Sequence, residues 1–297
     1  MAYDRLLVDG GWLLWRATFA EAADPSRSAV VRAFEIVGQV ARENGCRSVT
    51  FTWDAGKAGR RAIFPGYKAG REERRVDLQG ARDRAAWVVA SVLPLLGVGQ
   101  ATAPGWEADD AMATLAATSD ARTLVLTGDK DLVQVVARRV HVLRVGRGQS
   151  LVLHPGSFEE RTGLRPVPSI REAWVSFQAL RGDASDCYPG VRGIGEAGAV
   201  EALAAYPDVL ARMLDRDSLD RIATRRTRTA LLRPEAVGEA ALSYSVALLR
   251  VDATIDLLDG HPFPDVEGAE RALRSRGEVV SAPLRSAVRA IAGAPRR

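Results

Sequence analysis

Three short apolar runs in this chain each stop at an aspartate, and no other feature constrains the fold as strongly. Leu6-Leu7-Val8 ends at Asp9, and Ser48-Val49-Thr50-Phe51-Thr52-Trp53 ends at Asp54. Thr123-Leu124-Val125-Leu126-Thr127 runs into Gly128-Asp129-Lys130-Asp131. Each run is closed by turn residues and reads as a buried strand. Helical periodicity fills the intervals. Residues 29–43 stop at Asn44-Gly45, residues 76–96 carry Val76, Leu78, Trp87 and Leu93, and an apolar helix opens after Glu107 and closes near Ser119. Strand and helix in alternation argue for an α/β domain with a mainly parallel central sheet flanked by helices. Sheets of that kind place ligands at the carboxyl ends of their strands, where Asp9, Asp54 and Asp129 stand. Each acid alone is equally well explained as a helix cap, but three strands ending in acid are not what capping predicts.

Two further strands, Val140 to Val145 and Leu151 to His154, enclose a glycine-rich turn. Beyond Pro155 no strand is expected, so a boundary falls near residues 155–168. A helix from Ile170 to Leu180 leads into Arg181-Gly182-Asp183-Ala184-Ser185-Asp186 and then a glycine-dense hairpin, Pro189-Gly190-Val191-Arg192-Gly193-Ile194-Gly195. The remainder reads as helical and arginine-rich, with a short amphipathic helix from Ser281 and a disordered end.

The chemistry on offer is acid. Trp106-Glu107-Ala108-Asp109-Asp110 puts three carboxylates at the start of a helix, where capping needs only one or two. Such a cluster repels itself unless a cation sits within it. With Asp9, Asp54, Asp129, Asp131, Asp183 and Asp186, the acids would converge on one edge of the sheet. Oxygen-only ligands select hard cations, so Mg²⁺ or Mn²⁺ is implied rather than zinc. Nucleophile-type sites are poorly supported: the three histidines (His141, His154, His261) sit on strands or in the tail, and neither G-x-S-x-G nor a Walker A lysine occurs. Gly193-Ile194-Gly195-Glu196-Ala197-Gly198 matches G-x-G-x-x-G, but no strand precedes it, so a dinucleotide site is excluded. The hairpin reads either as a plain turn or as backbone N–H groups holding a phosphate at a helix N-terminus.

At 297 residues, 47% hydrophobic and 26% charged, the chain has the composition of a globular protein. It contains no membrane-length apolar run and no signal peptide, so a cytoplasmic location away from membranes is expected. Two cysteines, Cys46 and Cys187, exclude a disulfide scaffold and a four-Cys zinc site. Net charge is +4, and the basic residues are uneven: seven between Lys57 and Arg75, and seven arginines between Arg212 and Arg233. Both stretches read either as solvated faces or as footprints for nucleic-acid phosphates. Beside a basic loop holding Tyr67, the natural use of a carboxylate-held ion pair is phosphodiester hydrolysis.

Leu6-Leu7-Val8-Asp9-Gly10, Tyr67-Lys68-Ala69-Gly70-Arg71, Glu107-Ala108-Asp109-Asp110, Thr127-Gly128-Asp129-Lys130-Asp131, Gly182-Asp183-Ala184-Ser185-Asp186 and the hairpin follow in the order found in the 5′-nuclease superfamily. The chain resembles that superfamily over roughly residues 5–260. It includes flap endonucleases, phage 5′→3′ exonucleases and the N-terminal nuclease domain of bacterial DNA polymerase I. With no polymerase domain following, the freestanding form is expected, as in phages. The resemblance implies a PIN-like nuclease core (1–165) with a helical arch (about 66–97), a helix–three-turn–helix DNA-binding region (166–260) and a C-terminal extension (261–297). It further implies a monomer acting on 5′ flaps, ends or junctions in DNA, with RNA/DNA hybrids as a further substrate, and leaving 5′-phosphates. Asp9, Asp54, Glu107, Asp109 and Asp129 or Asp131 would hold one metal ion, and Asp131, Asp183 and Asp186 a second. Asp110 joins the metal group or remains a cap. Lys68 and Arg71 would contact the scissile phosphate, and Tyr67 would stack on a displaced base. Gly190, Val191, Arg192, Gly193, Ile194, Gly195 and Gly198 would grip the duplex backbone, with K⁺ bound there. The chain departs from the family where Cys187-Tyr188 replaces Asn-Ile, and where Gly11 replaces Asn or Ser. The rival readings are a non-catalytic DNA-structure binder and a PIN-type ribonuclease.

Overall fold

Leu6, Leu7 and Val8 have no exposed surface, nor do Leu124, Val125 and Leu126. Runs apolar at every position belong in strands covered on both faces. The computed structural model describes residues 2–69, 76–145, 150–215, 218–258, 260 and 263–293. Its first half comprises β1 (Arg5–Asp9), α1 (Gly10–Ala23), α2 (Ala29–Glu43), β2 (Val49–Trp53), α3 (Ala58–Ile63), α4 (Val76–Val92), β3 (Gly99–Thr102), α5 (Ala108–Ala117), β4 (Thr123–Thr127), β5 (Val140–Val145) and β6 (Ser150–Leu153). There follow α6 (Phe158–Thr162), α7 (Ile170–Arg181), α8 (Glu196–Ala205), α9 (Val209–Asp215), α10 (Arg225–Leu231), α11 (Ala236–Ala247), β7 (Asp256–Leu258), α12 (Val266–Ser275) and α13 (Ala282–Ala292).

The sheet runs β6-β5-β4-β1-β2-β3-β7. The five inner strands are parallel, and β6 and β7 close the edges antiparallel. Alternation within each strand sends neighbouring side chains to opposite faces. Leu6, Val8, Leu124 and Leu126 join α1, α2, α4, α12 and α13 in one core. Leu7, Val125 and Val142 join α5, α7 and α8 in the other. This second core runs unbroken from the sheet into the helices beyond residue 166, and α13 packs along α2.

Two strands correct the sequence reading. The Gly99-Gln100-Ala101-Thr102 strand has no apolar run, and β7 is three exposed residues. Both are held by backbone pairing to a neighbour, which leaves no side-chain signature. Of the expected arch, residues 70–75 lie outside the described residues, as do Arg71 and His261. The described remainder of the arch region includes α4, whose Val88, Val89 and Val92 are buried in the core beneath α1 and α2.

After α7 the chain doubles back on itself. Gly182 and Gly190 both have positive φ (73° and 65°). A Cβ on Gly190 would come within 2.2 Å of the Gly182 nitrogen, and one on Gly182 within 2.4 Å of the Pro189 carbonyl carbon. Backbone against backbone at this crossing is possible only for glycine. Gly190→Ala is therefore expected to cost at least about 2 kcal/mol, read as a lower urea midpoint at unchanged m.

Candidate active site

Strand β1 lies between β2 and β4, so the acids that end these strands are neighbours. The chain moves outward from β1 to β2 and β3, then returns to β4 on the other side of β1. That reversal opens a crevice at the carboxyl edge. Asp9 is fixed in it: its Oδ1 accepts from Trp12 N at 2.9 Å and its Oδ2 from Thr127 Oγ1 at 3.0 Å. Asp54 Oδ1 accepts from Ala108 N, the first N–H of α5, at 2.9 Å. Asp129 Oδ1 accepts from Asp131 N at 2.9 Å. The start of α5 delivers Glu107 and Asp109 to the same place. Asp9, Asp54, Glu107, Asp109 and Asp129 line one cavity of about 780 Å³ together with Lys68.

The protein alone accommodates these charges poorly. Burial, then the charges of Asp54 and Asp129, push Asp9 up to about 7 against its bonds to Trp12 and Thr127. Burial and the charges of Asp129 and Asp9 hold Asp109 well above the usual carboxylate range, with Lys68 opposing. Asp131 rises to about 8 through burial, Asp129 and Asp186. Among the described residues no group of three or more His, Cys, Asp or Glu is drawn up to hold a metal ion as the side chains stand. The donors nevertheless suit a hard cation: they are all oxygen, crowded and strained by mutual repulsion, which a divalent ion would relieve. Glu107 differs from its neighbours. Burial would raise its pKa, but Lys68 and Arg60 hold it below the usual value.

Asp110 is a correction to the expected metal group. It is fully buried and does not line the cavity. Both its oxygens bind the guanidinium of Arg60, and they also accept from Arg250 N at 2.9 Å and Glu107 N at 3.3 Å. It is an ion-pair partner and helix cap, with no lone pair turned toward the acids. Tyr67 is a second correction. Only 3% exposed, it donates to Glu107 Oε2 at 2.6 Å and packs among Val175, Tyr188 and Val246, so it presents no face to a base. Lys68 Nζ lies 2.8 Å from Glu107 Oε1 and 3.6 Å from Asp186 Oδ1. Burial would lower its pKa, but Asp186, Glu107 and Asp109 hold it raised, so the ammonium stays charged. Arg60 was hidden within the basic stretch, and only the fold reveals that it is 4% exposed.

Asp131, Asp183 and Asp186 form a second group that does not itself line the cavity, although the neighbouring Lys130 and Ser185 do. Asp131 Oδ1 accepts from Gln178 Nε2 at 2.6 Å. Asp183 pairs with Lys130 and accepts from Ser185 N at 2.7 Å. Lys68 N donates to Asp186 O at 3.0 Å, tying this loop to the Tyr67-Lys68 segment. Cys187 takes the left-handed conformation (φ 67°), which Asn adopts more readily, so the turn is kept despite the substitution. A Cβ on Gly11 would lie 3.8 Å from both Asp9 Oδ1 and Asp54 Oδ2, and glycine supplies no donor there.

In the hairpin, the Val191 and Ile194 side chains are buried in the core, which leaves only the backbone of these residues for the expected phosphate contact. Arg192, Gly193 and Gly195 are exposed, and α8 begins directly after Gly195, with Gly198 in its first turn. Two cavity-lining residues, Trp12 and Trp15, also escaped the sequence reading.

A family model described as the N-terminal resolvase-like domain of 5′-3′ exonuclease matches residues 4–163. The thermostable DNA polymerase I of Thermus thermophilus is 34% identical over 274 residues, which are 89% of this chain but 31% of the polymerase. A 5′-3′ exonuclease of Bacillus subtilis is 36% identical over 235 residues, 72% of this chain and 74% of that protein. In fold, the chain is similar to a flap endonuclease of bacteriophage T5 solved with DNA and metal ions, with a TM-score of 0.62 at 18% identity over 97% of this chain and 99% of the other.

Proposed function

The chain belongs to the 5′-3′ exonuclease family, and from that premise we propose that it is a structure-selective 5′-nuclease. In this reading it hydrolyses phosphodiesters in DNA flaps, ends and junctions with the aid of Mg²⁺ or Mn²⁺, leaving 5′-phosphates. The observation that carries the proposal is the convergence of Asp9, Asp54, Glu107, Asp109 and Asp129 on one cavity, with Asp9 and Asp109 resisting ionisation. Asp9, Asp54, Asp109 and Asp129 would hold an ion directly, with Glu107 beside them. Asp131, Asp183 and Asp186 would serve a second ion once Lys130 moves aside. Bound ions supply positive charge to the scissile phosphate and lower the pKa of water there.

The chain's own residues do the rest. The Lys68 ammonium, held charged by Glu107 and Asp186, would reach the phosphate from the cavity wall. The exposed backbone from Gly193 into the first turn of α8 would take a duplex phosphate on its N–H groups, and a K⁺ ion beside it would strengthen that contact. Residues 166–260 would thus serve as the duplex-binding region. A labelled 5′-flap duplex incubated with Mg²⁺ or with EDTA tests the reading. Cleavage confined to the Mg²⁺ reaction is expected. Tight binding with no cleavage in Mg²⁺ would instead favour a non-catalytic DNA-structure binder.

A further inference from the structure

Lys130 stands on the turn between Asp129 and Asp131, and so between the two groups of acids. Its ammonium pairs with Asp183 Oδ2, and the residue also lines the cavity. Burial would lower its pKa, but Asp131, Asp183 and Asp129 hold it raised, so it stays a cation. Asp183 has that one oxygen to offer, because its Oδ1 already accepts from Ser185 N at 2.7 Å and Ser185 Oγ at 2.6 Å. The carboxylate is nearly enclosed, with 4% of its side chain exposed, whereas the lysine side chain is 25% exposed. Arg181 stands farther off, its Nη2 3.9 Å from the same oxygen. In the cavity group, by contrast, Asp9 is held by two neutral donors, Trp12 N and Thr127 Oγ1.

We propose that Lys130 is a resident counter-ion that keeps the second acid group closed to a divalent ion until its ammonium swings out into the cavity. The inference rests on the metal-dependent nuclease reading above. Mg²⁺ binds oxygen at about 2 Å, so an ion on Asp183 Oδ2 would need the space that the ammonium fills. Charge adds to the conflict, because two cations sharing one buried oxygen repel each other. The lysine has room to yield, since its side chain is partly exposed and the residue already lines the cavity. The Arg60–Asp110 pair, which serves the fold, has no such opening: its side chains are 5% and 0% exposed. The two groups would therefore fill in order, the cavity group first and tightly, the Asp183 group second and weakly.

Mn²⁺ binding to the metal-free chain without DNA, followed by the paramagnetic resonance signal of the free ion, tests the role of Lys130. The wild-type chain is expected to bind one Mn²⁺ tightly and a second at least about 10-fold more weakly. Lys130→Met should tighten the second site at least about 10-fold, the smallest effect of a unit charge at such range. Arg144→Met removes another cation that lines the cavity and measures the general field there; it should shift the second site less than about 2-fold. Lys130→Met should also melt below the wild type in EDTA, and saturating Mn²⁺ should close the gap by replacing the lost charge. Should that variant fail to fold, Lys130→Gln is expected to give the same binding result. A second site left unchanged or weakened by loss of Lys130, or tightened equally by Arg144→Met, overturns the proposal. A wild-type chain that binds no Mn²⁺ at all would instead sink the metal-dependent reading on which it rests.

Discussion

Asp9→Asn is expected to abolish metal-dependent cleavage while making the metal-free protein more stable at pH 8. Asp9 would help hold the ion that stabilises charge on the reacting phosphate, and losing that stabilisation is worth at least about 10²-fold in turnover. The stability effect follows from the direction of the pKa shift. An Asp near 3.8 in the unfolded chain stands at about 7 in the folded one, raised by burial, Asp54 and Asp129. Between those values the unfolded chain releases its proton and the folded one retains it, so folding loses stability as pH rises from about 4 to about 7. Above that window the full penalty, a few kcal/mol, remains. The asparagine can still accept from Trp12 N, and it carries no charge. Melting curves in EDTA should therefore fall from pH 5 to pH 8 for the wild type and fall less for Asp9→Asn. Mg²⁺ should raise the wild-type Tm more at pH 8 than at pH 5. A wild-type Tm in EDTA that does not fall over this range would show that the acids are not strained by one another.

Arg60→Met should be the most damaging single change to the fold. The guanidinium binds both oxygens of Asp110, reaches Glu107 Oε2 at 3.3 Å and donates through Nε to Val246 O at 3.1 Å. Removing it leaves the fully buried Asp110 carboxylate without a cation, a loss of about 3–5 kcal/mol. That corresponds to a Tm drop on the order of 10 °C. Replacing the pair together, as Arg60→Met with Asp110→Leu, should recover much of the loss, because it exchanges the ion pair for apolar packing. If thermal melts of Arg60→Met matched the wild type, the buried network assigned to Asp110 would be wrong. The same substitution also frees Glu107 from one of its two cations, so cleavage should fall further than stability alone accounts for.

The family relationship was legible in the chain because its carriers are local: apolar runs closed by acid, a lysine beside a tyrosine, glycines at fixed intervals. Less legible was what each acid does. Glu107, Asp109 and Asp110 sit within four residues, yet one binds Lys68, one faces Asp9 and Asp129, and one binds Arg60. Tyr67 looked like a base-stacking ring within a basic loop and turned out to be a buried donor to Glu107.

By itself, the sequence determined the central strands, their burial on both faces, the parallel sheet and the aspartates at its carboxyl edge. These follow from side-chain hydrophobicity and from the two-residue period of a strand, both of which can be read along the chain. The tertiary structure decided the edge strands β3 and β7, which are held by backbone bonds that leave no side-chain pattern. It also separated the acids into the cavity group, the second group around Asp131, and the Arg60 partner Asp110. A carboxylate's role depends on which charge stands within a few ångströms of it. For Asp110 that charge belongs to a residue fifty positions earlier, and only the folded chain brings the two together.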